Sequence, residues 1–455
     1  MTDRTHDGAA HSAATSAHTT AIPWPIRKSV LLLTAIYTAN FLDRQIINIL
    51  AEPIKRDLDL SDTQLGLLTG IAFAAIYAAL LLPAARLTEH FHRPRLLGVA
   101  VIAWSACTAL CGVVNSFFYL VLARIGVGIG EATCTPTAHS LISDYVPLHQ
   151  RASAISLYSL GVPLGALLGM AVGGIVVDAY GWRQAFLIAG LPGVVLGLLA
   201  FAFLPEPRAA KHSIVAAQVV PPLRTVLAEL SQKRSFLWLM VASCLVGVVS
   251  FGQQAFMASY FLRAHGAALT HWGTVIQDAS GISLGPIALV GIFYGVSAGL
   301  FAMAGIHVGG KLADRFGAKD LKAMMTIPAW ACLLSIPLFL GVIFVSSAAL
   351  AISLMAAHAF SMGLTLAPKS TSILGLVGVR SRATAASLPL FASTLVGLGF
   401  GPLLVGMLSD VYAQLGDANQ IDGLRHALAT LYALMLPGAV ALFAASRHYR
   451  REFVG

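Results

Sequence analysis

The chain is 455 residues long; 57% are apolar, 11% are charged, and the formal net charge is +9. Counting its 42 glycines raises the non-polar share to about 66%, where soluble domains sit near about 45–50% with about 25% charged. That leaves too little polar surface for a soluble enzyme, a nucleic-acid-binding domain or a disordered protein, and points to an all-α polytopic membrane protein.

Residues 1–25 are small, polar and dotted with histidine. No apolar core precedes a small-residue cleavage site, so they read as a disordered cytosolic tail and not as a signal peptide. A helix needs about 20 mostly apolar residues to cross a bilayer. Twelve such stretches follow, near 29–50, 63–85, 96–114, 117–139, 152–177, 184–204, 236–262, 286–308, 322–344, 347–367, 383–408 and 425–446. Between the sixth and seventh lies the longest polar stretch inside the chain, 205–235, with Pro205, Pro207, Pro221, Pro222 and five basic residues. It reads as a cytosolic linker. The expected organisation is thus a six-helix bundle over 26–204, the linker, a second six-helix bundle over 236–446, and a cytosolic tail at 447–455. All five cysteines lie in apolar runs and imply no disulfide framework. Cys107 and Cys111 share a helix face, but two thiols make a poor metal site, so no metal is expected.

Basic residues favour the cytosolic side of a membrane. With both termini inside, 22 of the 29 Lys and Arg fall on the inner side and five on the outer (Lys55, Arg56, Arg183, Arg263, Arg425). The remaining two, Arg44 and Arg124, fall within spans. The positive charge is therefore topological and calls for no nucleic acid. The placement fits a plasma membrane of the bacterial inner-membrane type.

The halves repeat each other. Ala85-Arg86-Leu87-Thr88-Glu89-His90-Phe91 after span two matches Gly310-Lys311-Leu312-Ala313-Asp314-Arg315-Phe316 after span eight, at an offset of 225. Span five opens on Arg151-Ala152-Ser153-Ala154 and span eleven on Arg382-Ala383-Thr384-Ala385, at an offset of 231. Gly174 precedes Asp178 as Gly406 precedes Asp410. Matched six-span halves are the plan of transporters that hold a substrate between the halves near the bilayer midplane.

Several motifs carry a resemblance. Gly310 to Gly317 resembles the signature loop of the major facilitator superfamily. Arg124-x-x-x-Gly128-x-Gly130-Glu131 resembles its fourth-helix motif. The run Gly161-x-Pro163-x-Gly165-x-x-x-Gly169 resembles its fifth-helix glycines, and Gly181-Trp182-Arg183 the start of its sixth helix. Asn40-Phe41-Leu42-Asp43-Arg44-Gln45, Ser61 to Gly66 and Ala123 to Ala132 resemble the spinster-like branch. The resemblance covers about 26–446 and implies the major facilitator fold, with twelve helices in two bundles around a central cavity lined by spans one and four. The first signature loop departs from the pattern: Ala85, Glu89, His90 and His92 stand where Gly, Asp, Arg and often Asn or Gly are usual.

A charge at the bilayer centre costs roughly 2.5–3.5 kcal/mol on insertion scales. Four lie well inside the predicted spans: Asp43 and Arg44 on span one, Arg124 and Glu131 on span four. The set is neutral overall. Arg124 and Glu131 are seven apart, which puts them on one face about 10.5 Å from each other. Both can therefore pair with a group between them, such as Asp43. One reading is a static ion pair that locks two helices. The other is a proton-linked switch: burial favours the neutral form of a carboxylate, and a nearby guanidinium favours the charged form. Glu131 is then the expected proton carrier, Asp43 is coupled to it, and Arg124 with Arg44 serves an anionic head group.

The second half offers Gln253, Gln254 and Tyr260 on span seven, His358, Ser361 and Thr365 on span ten, and Phe391 on span eleven as substrate contacts. A charged wall facing a mostly apolar one suits an amphipathic molecule. For gating, the sequence offers an inner latch of Arg86, Glu89, Arg93, Asp314 and Arg315, with Arg151 and Arg382 opening the repeated spans. Gly161, Pro163, Gly165, Gly401 and Pro402 are sites where spans five and eleven kink and slide.

The chain has no phosphate-cradling Gly-Lys-Ser/Thr loop, triad or nucleophile motif, and no enzyme activity or cofactor is expected. The expected function is proton-coupled secondary transport, driven by the proton gradient. The resemblance implies a lysophospholipid or sphingosine-phosphate type of substrate, handled by a monomer. A small organic anion or hydrophobic drug is the alternative, and a non-transporting membrane sensor is a second.

Overall fold

The computed structural model describes residues 24–207, 223–378, 381–415 and 419–454. The expected N-terminal tail, apart from its last two residues, and the middle of the linker lie outside them. Among the described residues every regular element is helical, and twelve helices are long and apolar enough to cross a membrane. They are Ile26–Leu58, Asp62–Leu81, Arg93–Cys111, Phe117–Tyr145, Ser153–Tyr180, Trp182–Phe203, Arg234–Ser280, Pro286–Gly317, Ala323–Phe344, Ala348–Leu374, Thr384–Gln414 and Gln420–Glu452, called spans one to twelve. An even number of crossings puts both chain ends on one side, the terminal side; the opposite side is the far side. The linker contains a short helix, Leu223–Ser231.

Span seven departs most from its expected limits. It continues past Arg263 to Ser280 as one helix of 47 residues, about 70 Å long. Apolarity lapses at Arg263, but nothing that breaks a helix follows until Gly281. That glycine takes the left-handed conformation (φ 73°) and returns its N–H to Gln277. The far end of the helix packs on span eight, where Trp272 meets Phe293 edge-on.

Several inner spans are interrupted. Span two breaks at Gly70, span four at Ala132–Thr133 and span five at Leu160. Spans eight and eleven carry wide π-helical turns at Ser297–Phe301 and Ser393–Leu398. The prolines account for two of these interruptions. Pro163 lies three residues past the break at Leu160, and Pro402 four residues past the end of the π-helical turn. A proline lacks an N–H and its ring crowds the carbonyl four residues back.

Glycine decides how closely the helices approach. A β-carbon on Gly165 would lie 2.5 Å from the Thr38 carbonyl of span one, and one on Gly161 would lie 2.9 Å from Tyr37. Between the halves, two crossings repeat. Gly66 of span two abuts the Pro402 carbonyl of span eleven, where a β-carbon would sit at 2.3 Å. Its counterpart at an offset of 225, Gly291 of span eight, abuts the Met170 carbonyl of span five at 2.1 Å. With lipid tails as apolar as the side chains, such close backbone approach is a main source of helix association.

Two alanine substitutions separate packing from helix propensity. Gly165→Ala should destabilise the protein by about 1–3 kcal/mol, because the added methyl meets backbone. Gly266→Ala, with nothing within 4 Å of the new β-carbon, should be neutral or stabilise by up to about 1 kcal/mol. Thermal unfolding of the two purified variants checks this; equal melting temperatures would contradict it.

Candidate substrate and proton site

Asp43 and Arg44 are adjacent on one helix, so their side chains leave it about 100° apart. Asp43 turns toward span three. There Thr108 Oγ1 donates to its Oδ2 at 3.1 Å, and Trp104 lies alongside. Arg44 turns toward spans two and four. Its Nε donates to Glu131 Oε2 at 2.6 Å. The same guanidinium lies 5.1 Å from the ring centre of Phe73 and 4.5 Å from that of Tyr77, with Phe41 at 5.2 Å. Aromatic faces carry negative charge density and hold a cation without a second carboxylate.

Arg124 comes from the same face of span four as Glu131. Its Nη1 donates to the backbone carbonyl of Asp43 at 3.4 Å, and its guanidinium lies 5.4 Å from the Phe73 ring. Phe73 is therefore shared by two guanidiniums. Asp43, Arg124 and Glu131 are each at most 2% exposed. Asn40, fully buried, lies beside Glu131.

The four expected charges do converge, but the pairing differs from the expected one. Glu131 meets Arg44, and Asp43 does not stand between Arg124 and Glu131. The cause is the one-residue step along span one, which sends Asp43 to span three and Arg44 to span four. Among the described residues no carboxylate lies within ion-pair distance of Arg124. Its positive charge is held by a carbonyl and a ring, which leaves most of its donors available.

Span four is shaped to bring this set together. The helix Phe117–Glu131 ends at Glu131, Thr133 Oγ1 donates to the Gly130 carbonyl at 2.8 Å, and a second helix resumes at Cys134. A β-carbon on Gly126 would lie 2.6 Å from Cys107 Sγ, and one on Gly130 would lie 2.7 Å from Trp104 Cβ. Gly128 faces Phe73. The bare stripe is what lets span four lie against spans two and three.

The second-half candidates divide. Gln253 and His358 are buried and share a third group, Tyr432. The Tyr432 hydroxyl donates to Gln253 Oε1 at 3.4 Å and is hydrogen-bonded to His358 Nε2, with Phe339 stacked on its ring at 3.9 Å. Tyr260 donates to the Ile343 carbonyl at 2.5 Å, Ser361 to the Ala331 carbonyl at 2.9 Å, and Thr365 to the Met362 carbonyl at 2.7 Å. These three hydroxyls bind the protein's own backbone. Gln254 is half-buried, and Phe391 is exposed.

The inner-latch residues are also distributed differently. Arg93 is fully buried and does not reach the second half, pairing with Asp144 of span four at 2.6 Å and with Glu206 at the start of the linker. Arg151 donates to the Ser143 carbonyl at 2.7 Å, within the first half. Arg86, Asp314 and Arg315 are exposed on the terminal side, and Arg382 is half-buried. The side chain of Glu89 lies outside the described residues. His92 takes ordinary extended backbone (φ −66°, ψ 104°) and caps span three, its ring accepting from Arg95 N. A β-carbon there brings no strain.

Phe73, Tyr77, Thr108 and Tyr432 escape the sequence reading. Phe73 and Tyr77 lie four apart on span two, which places them on one face, but an aromatic pair at that spacing reads as ordinary packing. A double-mutant cycle on the central pair tests how tightly it is held. Arg44→Gln and Glu131→Gln singly should each lower thermal stability, because one member of a buried ion pair is left alone. The double variant should be more stable than either single one, by about 1 kcal/mol or more. Additive losses would contradict direct coupling.

The sequence pattern described as the Major Facilitator Superfamily matches residues 33–402. The chain is 32% identical over 430 residues to an MFS-type efflux pump of Mycolicibacterium smegmatis, covering 94% of each chain. It is 25% identical over 408 residues to the sphingosine-1-phosphate transporter SPNS2 of Danio rerio, covering 87% of this chain and 78% of that one. Among solved structures it superposes on a bacterial homologue of the human lysosomal transporter Spinster in an inward-facing and unoccupied conformation. There the TM-score is 0.81, with 27% identity and coverage of 95% and 99% of the two chains. The chain belongs to the major facilitator superfamily and is a spinster-like membrane transporter, not an enzyme.

Proposed function

We propose that the protein is a proton-coupled secondary transporter of an anionic amphiphile with a long apolar tail, working by alternating access. One observation carries the reading. Two carboxylates and two guanidiniums meet in the buried part of spans one and four, and one guanidinium, Arg124, has no carboxylate among the described residues within ion-pair distance. Protonation of Glu131 releases Arg44 from its ion pair and leaves a net positive site. An anionic head group restores neutrality there. The apolar remainder of the molecule then lies against the second half, whose polar side chains are mostly engaged with one another or with backbone. The relative from Danio rerio is named for a substrate of this chemistry, a charged head on an aliphatic chain.

The protein sits in the plasma membrane with both ends in the cytosol, in keeping with the bias of its basic residues. It acts as a monomer, needs no bound cofactor, and draws on the proton gradient.

Counterflow in proteoliposomes against lysophospholipids, sphingosine phosphate and small organic anions tests the substrate class. Glu131→Gln should abolish proton-driven uptake by at least tenfold while leaving exchange at equal pH within about threefold of the parent. Unchanged pH dependence of transport in that variant would sink the proton-carrying role. Arg124→Lys should weaken binding of the anionic amphiphile about tenfold or more, since an ammonium lacks the planar fork that serves a carbonyl and a phosphate together. A lysine variant of parental affinity would reduce Arg124 to a scaffold residue.

A further inference from the structure

On the far side the two halves are fastened by side chains that the central site does not use. Asp178, near the end of span five, accepts from the backbone N–H of Ala288 in the first turn of span eight at 2.6 Å. Asp410, near the end of span eleven, accepts from the N–H groups of Asp62 and Thr63 in the first turn of span two at 3.0 and 2.8 Å, and from the Thr63 hydroxyl at 2.6 Å. The two contacts are copies. Ala288 corresponds to Thr63 at the offset of 225, and Asp410 to Asp178 at 232. The glycine four residues before each aspartate makes the approach possible. A β-carbon on Gly174 would lie 2.6 Å from the Ile287 carbonyl, and one on Gly406 would lie 2.1 Å from the Asp62 carbonyl. Each carboxylate thus crosses from one half to cap a helix of the other, where N–H groups lack partners and the helix dipole favours negative charge.

The copies are unequal. Among the described residues, only the contact at span two is reinforced by a charge network. Arg263 of span seven donates through Nη1 and Nη2 to both oxygens of Asp62 at 2.8 and 2.7 Å, and through Nε to Glu52 of span one at 2.8 Å. Lys55 Nζ lies 2.6 Å from Asp62 Oδ1, and Ser409 donates to Asp62 Oδ2 at 2.6 Å. Asp62, Glu52 and Arg263 have side chains no more than 6% exposed. A forked arginine held by two buried carboxylates is among the stronger polar contacts a protein makes.

We infer that the paired Gly-x-x-x-Asp caps, reinforced at span two by Arg263, form the far-side gate, and that their release sets how often the transporter opens outward. The inference rests on the alternating-access reading. The asymmetry gives the gate an order: the span-five contact holds through one carboxylate, so it parts before the span-two contact, where Arg263 and Asp410 must both let go.

Spin labels at Val113→Cys and Ser346→Cys, exposed far-side positions on opposite halves, report the width of the far mouth once the five natural cysteines are replaced. Asp178→Ala with Asp410→Ala should raise the ratio of far-open to far-closed populations about tenfold. Arg263→Gln alone should raise it by a similar factor, and Asp178→Ala alone by less. Folded variants with the parental distance distribution would overturn the gate; if the double alanine variant does not fold, Arg263→Gln decides the matter by the same criterion. Counterflow measured on the same samples keeps the two readings apart. An unchanged distance beside active counterflow removes the gate and leaves the transporter. A widened distance in a chain that moves no substrate in any variant keeps the gate and removes the transport reading.

Discussion

A charge in the bilayer interior is tolerated only in company, and the first half is arranged around that constraint. The Arg44–Glu131 pair needs span one against span four at 2.6 Å between polar atoms. That contact needs Gly126 and Gly130 of span four to lie against span three and Gly128 against span two, with no side chain of their own between. The rings of Phe73 and Tyr77 then lie against the guanidinium, 5.1 and 4.5 Å from their centres. Loss of either charge strands the other in a medium that solvates it poorly, which is why the pair acts as structure as well as chemistry.

The same constraint separates the two halves in chemistry. The first half concentrates ionisable groups at mid-depth. The second places there an uncharged network of Gln253, His358 and Tyr432 backed by Phe339, and otherwise turns its hydroxyls on its own carbonyls. Duplication supplied the common frame, visible in the matched glycine crossings Gly66 with span eleven and Gly291 with span five. The two copies have since taken different work. Charge lies at mid-depth in the first half, and an uncharged hydrogen-bonded network lies there in the second.

Much of the fold was legible because lipid leaves a chain few options. Apolar stretches of spanning length read directly as helices, and the basic linker and repeated loops mark the halves. Where apolarity and helicity part, the reading stops short, as at Arg263, beyond which span seven runs to Ser280. The convergence of Asp43, Arg44, Arg124 and Glu131 was legible because a charge in a span demands an explanation. Their pairing was not, since it turns on a 100° difference in direction between neighbours on one helix. The far-side network was hidden for a related reason. Glu52, Asp62, Arg263 and Asp410 lie just beyond the limits expected for their spans, where charges are ordinary, and only the tertiary structure brings them within 3 Å of one another's groups. The repeat of Gly174 with Asp178 and Gly406 with Asp410 was the one visible trace.

In the proposed function, anion binding and proton binding are linked through one buried set of charges. Calorimetric titration of the purified protein with a lysophospholipid or sphingosine phosphate that it binds, in buffers of different ionisation enthalpy, measures that link directly. Such linkage gives a binding enthalpy that varies with the buffer, reporting proton uptake with the anion, and loss of that variation in Glu131→Gln with binding retained. A binding enthalpy independent of the buffer in the parent protein, across pH 5 to 8, would contradict it.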